Sequence, residues 1–274
     1  MQRIYPDTTL VKTDMSSAAS DLSDSSDLSA SSRAVRWRVA LLGPVDTWFH
    51  VRKKLHFSPS SYDAQIHIDV ARTHVHDSWF HAQHRASVCQ LLNAFASTNP
   101  GIGYAQGLNF LVFPLYKVFY LAAPQWAMED TFYSLQRLMR SLLLIYPLHC
   151  DDMAVLTNMA ALSADVKLRA TTIQPKLSSV LFSEPYAPFL MSLVSKLLPT
   201  LFANVFSVDQ TIVLWDHLFA RDLPLLNLGV HCVARLLVIN YNAVLHLPLD
   251  KCMVVVQHNM PHTLRQLCAS LRLL

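Results

Sequence analysis

Apolar residues recur along most of this chain at the three- and four-residue intervals of an α-helix. The clearest stripe is Val88, Leu91, Leu92 and Phe95, whose spacing puts all four side chains on one helical face. The alternation of apolar and polar residues that is typical of a strand never lasts beyond a few positions, and residues 254–256 form the only β-like run. The pattern therefore predicts an all-α fold with a single multi-helix domain.

Helix start and stop signals place the individual elements. A short first helix begins at Arg33 and is ended by Gly43 and Pro44, and a second begins at Ser58-Pro59 and runs toward Ile66. Further helices are predicted over 78–98, 108–121, from Phe132 to before Pro147, 187–198, from a capping box at 207–210, over 226–245, and as two pieces that begin at Asp250 and His262. Residues 151–182 are less regular, so their boundaries stay open.

The first 32 residues differ in composition from the rest of the chain. From residue 16 to residue 32 about half of the positions are serine, with aspartate and alanine between them. A segment with so little apolar surface cannot offset the entropy of ordering itself. We therefore predict a disordered Ser/Asp-rich tail over 1–32 and one folded domain over 33–274.

Composition indicates which partners and which cellular compartment the protein is expected to have. Only 15% of residues are charged, the formal net charge is +3, and no basic stripe interleaved with aromatic residues points to nucleic acid. The five cysteines are far apart and lack a Cys-x-x-Cys spacing, which predicts reduced thiols in a cytoplasmic protein. Charged residues and prolines interrupt the apolar runs too early for a membrane span, so any membrane association is expected to come through partners.

Residues 99–109 (NPGIGYAQGLN) form the most distinctive stretch. The chain has only five glycines, and three of them, Gly101, Gly103 and Gly107, lie here. Glycine concentrates where a turn is tight or where another molecule approaches the backbone closely. The glycines surround one polar side chain, Gln106, so the stretch predicts a rigid loop that presents this glutamine. The alternative is an ordinary helix–helix turn in which Gln106 only caps a backbone group.

A second stretch upstream carries an Ile-x-x-Asp-x-x-Arg-Thr pattern at residues 66–73. Together with the Tyr-x-Gln-Gly pattern at 104–107, it resembles the paired signature of the TBC-domain Rab GTPase-activating proteins. Residues 33–43 (RAVRWRVALLG) are similar to the opening helix of that family, and Trp215-Asp216 lies in a segment like its late Trp-Asp helix. The sequence departs from the family at His74 and Leu214. Neither is one of the two positions, called fingers, whose side chains enter the partner's active site in that family.

This resemblance implies a GTPase activator that is not an enzyme in its own right. Arg72 is expected to stabilise charge on the phosphates and Gln106 to position the attacking water, both inserted in trans into a Rab-family small GTPase. Asp69 is expected to orient the arginine segment. The partner GTPase is expected to carry GTP and Mg²⁺, so the chain itself needs no cofactor and no metal. The family also implies vesicle trafficking and a cytoplasmic protein that is peripheral at endomembranes through Rab binding. The supporting residues are Asp69, Thr73, Gly103, Tyr104, Gly107 and Asn109.

Two other functions and one local interpretation stay open at this stage. The first alternative is a TBC-like domain that keeps both finger residues and yet serves as a catalytically silent scaffold or effector that binds a Rab. The histidines between 67 and 84 raise the alternative of a metallohydrolase, although no His-Glu-x-x-His core is present. Arg72, finally, is spaced to form a local ion pair with Asp69 and to do nothing more.

Overall fold

In a computed structural model the described residues are 29–44, 55, 57–146, 152–184 and 186–274, and every regular element among them is a helix. Residues 1–28, which make up most of the predicted tail, lie outside this described part. The all-α prediction is confirmed.

The described parts of the chain contain twelve α-helices and three single turns of 3-10 helix. The first six α-helices are α1 (Ala30–Leu42), α2 (Asp63–Arg72), α3 (Ala82–Thr98), α4 (Leu108–Ala122), α5 (Ala127–Leu142) and α6 (Asp152–Ile173). The other six are α7 (Ser178–Leu181), α8 (Tyr186–Leu197), α9 (Val208–Phe219), α10 (Leu225–Ile239), α11 (Tyr241–His246) and α12 (Leu249–Arg272). The 3-10 turns are Pro124–Trp126, Leu143–Ile145 and Pro175–Leu177.

Helix α4 is the centre of the N-terminal half. It is apolar on nearly all sides, and it packs against α1, α2, α3, α5 and α9. Most of its residues are buried, including Lys117. Because α4 follows the glycine-rich loop directly, the loop is anchored on the most buried helix of this half.

Helix α10 has the corresponding place in the C-terminal half, where it packs against α6, α8 and α12. Helix α9 joins the two halves, since it contacts both α1 and α4 on one side and α12 on the other. The buried side chains of both halves form one continuous hydrophobic core. The structure therefore has a single core, as the sequence predicted.

A polar clasp fixes the first helix to this core. The Arg33 side chain donates from Nε to both carboxylate oxygens of Asp216 at 2.9 and 3.1 Å, and Trp37 donates from Nε1 to the same carboxylate at 2.8 Å. Arg38 on the same helix pairs with the buried Asp130 of α5 at 2.8 Å. The two stretches that resemble the opening and late helices of the TBC family thus meet in space.

Several predicted boundaries differ from the structure. Helix α1 begins at Ala30, with Ser29 as its cap, so residues 30–32 belong to the helix. The stretch 151–182, which looked irregular, contains the 22-residue helix α6. The predicted helix 226–245 is divided at Asn240 into α10 and α11. The two pieces predicted from Asp250 and His262 are one helix, α12.

The helix that was predicted to begin at Ser58-Pro59 begins only after Tyr62. The Asn93 side chain of α3 accepts from the backbone N–H of Ser60 at 2.7 Å and from its hydroxyl at 2.8 Å. This contact holds the segment against α3, and the Ser60 N–H that a cap at Ser58 would bind donates to Asn93 instead. A tertiary hydrogen bond therefore overrides the local start signal.

No single helix within the described residues is long and apolar enough to cross a membrane. One bent pair, Pro175–Leu181 with Tyr186–Leu197, meets the criteria of length and composition when the two are taken together. The four cysteines of the described part, Cys89, Cys232, Cys252 and Cys268, are unpaired and buried, and Cys150 lies outside it.

Candidate functional site

Arg72 is the last residue of α2, and its side chain points into solvent. The side chain is 70% exposed, whereas the carboxylate of Asp69, one turn earlier, is 6% exposed. Arg72 Nη2 lies 3.6 Å from Asp69 Oδ1, and Arg72 Nε donates to the carbonyl of Ile68 at 3.3 Å. The predicted local pair with Asp69 therefore exists, but these are long contacts that leave the guanidinium accessible.

Gln106 lies on the loop that joins α3 to α4, and its side chain is exposed. It makes no hydrogen bond to any residue that the structure describes, so it does not cap a backbone group there. The loop itself is ordered by the carbonyl of Asn99, which accepts from the N–H groups of Ile102 at 2.9 Å and Gly103 at 2.8 Å. The loop thus presents a glutamine from a hydrogen-bonded turn.

Buried side-chain hydrogen bonds join the two segments. Tyr104 of the loop donates its hydroxyl to Asp69 Oδ2 at 2.9 Å. Asn109, in the first turn of α4, donates from Nδ2 to the Thr73 hydroxyl at 2.6 Å and accepts from the Gly107 N–H at 3.0 Å. The segment that ends at Arg72 and the loop that carries Gln106 therefore form one connected frame.

Asp69 is the centre of this frame. It accepts from Tyr104 on one carboxylate oxygen and from Gln65 Nε2 on the other at 3.0 Å, and its backbone carbonyl accepts from the Thr73 hydroxyl at 2.6 Å. Burial, followed by the bond to Asp69, raises the pKa of Tyr104 well above its ordinary value. Tyr104 thus keeps its hydroxyl proton throughout the physiological pH range and can donate it to Asp69.

Two loop glycines have backbone angles that suit glycine. The φ angle is +61° at Gly103 and +110° at Gly107, in the region that side chains disfavour. A Cβ at Gly103 would lie 2.5 Å from the hydroxyl oxygen of Tyr62, and one at Gly107 would lie 3.3 Å from Thr200 Cγ2. A Cβ at Gly101 would meet nothing within 4 Å. Gly103 and Gly107 therefore shape the loop, whereas Gly101 is in open space.

Arg85 is part of the site that sequence reasoning missed. Its guanidinium donates to three backbone carbonyls near the end of α2, those of Val70 at 2.6 Å, Thr73 at 2.8 Å and His74 at 3.0 Å, and to the carbonyl of Phe80 before α3 at 2.9 Å. In the sequence Arg85 is one more polar residue in a predicted helix. No local pattern signals that it reaches 11 to 15 residues back along the chain.

His74, where the sequence departs from the family, has an unusual conformation. Its φ is +46°, in the left-handed region, and its ring meets those of Phe110 and Phe113 at centroid distances of 5.6 and 5.3 Å. Its buried Nε2 has no hydrogen-bond partner among the described residues. Burial lowers the pKa of His74 to about 4, although the Asp77 carboxylate opposes this shift. His74 is therefore a neutral, packed side chain at neutral pH.

The other histidines of this region do not form a shared site. His67, His76 and His81 are exposed, while His84 is buried and stacks on Trp79 with a centroid distance of 3.9 Å. Within the described residues, no group of three or more His, Cys, Asp or Glu side chains is arranged to hold a metal ion. This leaves the metallohydrolase alternative without a supporting observation.

The side chains of a cysteine on α3 and of a histidine and an aspartate on α2 lie next to one another in space, in the order of a cysteine–histidine–aspartate catalytic triad. Cys89 Sγ is 3.6 Å from His67 Nδ1, and His67 Nε2 is 3.6 Å from Asp63 Oδ1. However, burial raises the pKa of the Cys89 thiol to about 11. A thiol attacks as the thiolate, so Cys89 is not an activated nucleophile at neutral pH.

The comparisons with known proteins point to one family. The chain matches the family model of the Rab-GTPase-TBC domain over residues 46–240, a range that contains both segments of the frame. It is similar to the solved Ypt/Rab-GAP domain of Gyp1p, with a TM-score of 0.70 and 18% sequence identity over 90% of this chain and 88% of that one. It is also similar to the TBC domain of a Chlamydomonas flagellar RabGAP, with a TM-score of 0.61 and 18% identity over 89% of this chain and 80% of that one.

Comparison with curated proteins gives no match. At 18% identity the two solved structures show the shared fold, and the family model supplies the assignment because it covers more than half of the chain. Every regular element that the structure describes within the matched range 46–240 is a helix. The chain therefore belongs to the Rab-GTPase-TBC domain family.

Proposed function

We propose that this chain is a GTPase-activating domain that stimulates GTP hydrolysis by a Rab-family small GTPase. Membership of the Rab-GTPase-TBC family supports this role, and both similar solved domains are described as Rab GAPs. The partner GTPase carries the GTP and the Mg²⁺, and this chain adds side chains to the partner's site. The place of action is the cytoplasmic face of endomembranes, in vesicle trafficking, where Rab binding recruits the domain.

The frame around Asp69 is the observation that carries the proposal. Arg72 and Gln106 are both exposed, yet the segments that bear them are tied together by buried bonds from Tyr104 to Asp69 and from Asn109 to Thr73. Two polar side chains that project from one rigid support are suited to enter a second protein together. The frame fixes the backbone of the two segments relative to each other, which favours a role in which both side chains act at one site of the partner.

Each side chain has a separate chemical role. Phosphoryl transfer to water depends on positioning and on charge stabilisation more than on covalent help. The Arg72 guanidinium is permanently charged and planar, so it stabilises the negative charge that develops on the phosphate oxygens. The Gln106 amide both donates and accepts, so it holds the attacking water in line with the phosphorus.

Apolar side chains beside Arg72 provide a contact surface for the GTPase. Ile68 lies one turn before Arg72 on α2 and is 49% exposed, and Val75 lies three residues after it and is 56% exposed. The core of a protein interface buries apolar side chains, and arginine is enriched in interfaces relative to the rest of the surface. We assign this surface to the partner because it adjoins the arginine that must enter the partner's site.

Single-turnover hydrolysis across a panel of purified, GTP-loaded Rab GTPases tests the proposal. At least one Rab is expected to hydrolyse GTP about 10³-fold faster or more when the domain is added, because an arginine finger alone contributes that much. The matched control is the variant with Arg72→Ala and Gln106→Ala together, which keeps Asp69, Tyr104, Thr73 and Asn109. It is expected to fold and to give no acceleration.

Binding measured on the same panel separates activation from silent binding. If a Rab binds in its GTP form with no acceleration by the unaltered domain, the chain is a catalytically silent scaffold or effector and the proposal is wrong. Equal acceleration by the unaltered domain and by the double variant would mean that other residues do the chemistry.

A further inference from the structure

Arg85 contacts the chain on both sides of Arg72. A single guanidinium nitrogen, Nη1, donates to the carbonyl of Val70 at 2.6 Å and to that of Thr73 at 2.8 Å. The last carbonyls of a helix lack the N–H four residues later as a partner within the helix, so they can accept from an outside donor. The Val70 carbonyl also accepts from the Thr73 N–H at 3.2 Å. Arg85 supplies the outside donor from the first turn of α3.

The same side chain also fixes the turn that follows. Arg85 Nη2 donates to the carbonyl of His74, whose left-handed φ of +46° is costly for a residue with a side chain. Arg85 Nε donates to the carbonyl of Phe80 at 2.9 Å. Four of the five N–H donors of this guanidinium therefore bind backbone carbonyls, and none of its described bonds goes to a carboxylate.

Charge and shape make an arginine suited to this position. A positive charge at the C-terminal end of α2 is favourable, because the helix dipole is negative there. The planar fork reaches several carbonyls at once, whereas a lysine ammonium is a compact point charge. The guanidinium carbon of Arg85 also lies 5.7 Å from the centre of the Phe113 ring, which links it to the central helix α4.

The Arg72 side chain itself is loosely held, with contacts of 3.3 and 3.6 Å and 70% of its surface exposed. The position of the Arg72 guanidinium on a partner therefore depends mainly on the position of the Arg72 backbone. A displacement of a catalytic group by about 1 Å is enough to cost about 10²-fold in rate. The residue that fixes the backbone of Arg72 thus has a direct effect on the finger.

We infer that Arg85 is a positioning residue for the arginine finger: it clamps the backbone on both sides of Arg72 and so sets where the Arg72 guanidinium lies on the bound GTPase. Arg85 does not touch the reacting atoms. This inference rests on the proposed function, in which Arg72 enters the active site of a Rab.

Hydrogen exchange of the isolated domain is the first test, and it needs no partner. In Arg85→Met the backbone amides of residues 71–75 are expected to exchange about tenfold faster or more, because the bonds that hold the carbonyls of Val70, Thr73 and His74 are lost and the segment opens more often. The amides of α4 are expected to exchange as in the unaltered domain. The matched control is Arg169→Met, which removes a guanidinium bound to Asp165 on α6 and leaves the 71–75 segment unchanged.

A double-mutant cycle is the second test. The probe is the most responsive Rab of the panel, bound either to GDP with aluminium fluoride, as a transition-state mimic, or to a non-hydrolysable GTP analogue. Arg85→Met is expected to weaken binding to the mimic about tenfold and binding to the GTP form less than about threefold, since a finger acts mainly in the transition state. In an Arg72→Ala background, Arg85→Met is expected to have no further selective effect on the mimic.

Arg85→Lys keeps the charge and is the variant that retains the fold most safely. It is expected to lie between the unaltered domain and Arg85→Met in both tests, because an ammonium replaces only part of the fork. If Arg85→Lys equals the unaltered domain and Arg85→Met does too, the clamp has no role and the inference is wrong.

The cycle distinguishes the failure of this inference from the failure of the proposed function. If the selective effect of Arg85→Met persists in the Arg72→Ala background, Arg85 does not act through Arg72, and only the inference is overturned. If Arg72→Ala itself leaves binding to the mimic unchanged, Arg72 is not a finger, and the inference is overturned together with that role of Arg72. If no Rab responds in the panel, the proposed function and the inference that rests on it are both overturned.

Discussion

At the scale of single residues, the exposed guanidinium of Arg72 leads to the first prediction. Arg72→Ala is expected to lower GTPase activation by about 10³-fold or more. Arg72→Lys is expected to restore little of it, because a lysine ammonium lacks the planar fork. The fold is expected to survive, because Asp69 keeps its bonds to Tyr104 and Gln65. Single-turnover hydrolysis and thermal unfolding measure the two effects.

Arg169→Ala is the control for this prediction. Like Arg72, Arg169 forms an ion pair with an aspartate one helical turn earlier, in this case Asp165 of α6. The control variant is expected to leave activation unchanged. A folded Arg72→Ala domain with most of its activity would show that the pair with Asp69 is the whole role of Arg72.

Gln106 leads to the second prediction, which separates this mechanism from one that uses the glutamine of the GTPase. A Rab whose own switch glutamine is changed to alanine is expected to be activated still, because Gln106 positions the water in trans. Gln106→Ala is expected to fail on both the altered and the unaltered Rab, while Gln90→Ala, at an exposed position of α3, is expected to have no effect. Single-turnover hydrolysis of both Rabs is the measurement. Loss of activation on the altered Rab, together with normal activity of Gln106→Ala on the unaltered one, would assign Gln106 to the loop alone.

His74 gives a prediction about pH. Its pKa is lowered to about 4 by burial, whereas the pKa of an unfolded histidine is about 6.5. Below about 6.5 the unfolded chain therefore binds a proton that the folded chain excludes, and folding stability falls as the pH decreases from about 6.5 to about 4. His74→Asn, which tolerates the left-handed φ, is expected to lose less stability over that interval.

Urea unfolding at pH 7 and pH 5 measures the loss for each protein. His76→Asn, at an exposed position of the same loop, controls for the removal of a histidine and is expected to show the loss of the unaltered domain. A His74→Asn domain with the same pH dependence as the unaltered one would contradict the prediction. His84 is buried with its pKa also lowered, so some loss is expected to remain in every variant.

At the scale of elements, the Gln106 loop lies along α2 and contacts it at three levels. Gly103 packs against Tyr62 at the start of the helix, Tyr104 bonds to Asp69 within it, and Asn109 bonds to Thr73 after its end. The loop and the helix therefore move as one unit, and a change that separates them is expected to displace both proposed fingers.

Gly103→Ala makes such a change. An alanine there would have to adopt a φ of +61°, and its Cβ would lie 2.5 Å from the Tyr62 hydroxyl oxygen, so the Tyr62 ring has to move. The variant is expected to be less stable by about 1–2 kcal/mol and to lose most of its activation. Gly101→Ala, for which nothing lies within 4 Å, is expected to stay within about 0.5 kcal/mol and to remain active. Urea unfolding and single-turnover hydrolysis compare the pair, and equal behaviour of the two variants would contradict the proposed role of Gly103.

At the scale of the whole molecule, Asp216 joins the first helix to the core. Burial raises the pKa of its carboxyl, while the Arg33 guanidinium acts in the opposite direction by stabilising the charged form. Asp216→Ala would remove the acceptor of both Arg33 and Trp37, and it is expected to cost about 2–4 kcal/mol, as measured by urea unfolding. Asp165→Ala, which breaks a more exposed pair on α6, is expected to cost less than about 1 kcal/mol. Similar costs for the two variants would show that the clasp does not stabilise the fold.

The sequence by itself determined the class of fold and most of its helices. The stripe from Val88 to Phe95 lies on a core-facing side of α3, and the capping box at Ser207 and Gln210 starts α9 with both of its hydrogen bonds. These features depend on residues three to seven positions apart, so local periodicity and capping chemistry are enough to find them. The sequence also identified the two stretches that carry Arg72 and Gln106, through their resemblance to a family.

Only the tertiary structure decided how those stretches are joined. The bonds from Tyr104 to Asp69 and from Asn109 to Thr73 span 35 and 36 positions, and no local rule reaches that far. The same limit applies to Asn93 and Arg85. Both lie on α3 and bond to backbone groups of segments that precede it in the chain, so neither the later start of α2 nor the contacts of Arg85 can be predicted from local sequence. Hydrophobic spacing fixes which residues become helical. The partners of buried polar groups are fixed only when the packed helices bring donors and acceptors within hydrogen-bonding distance.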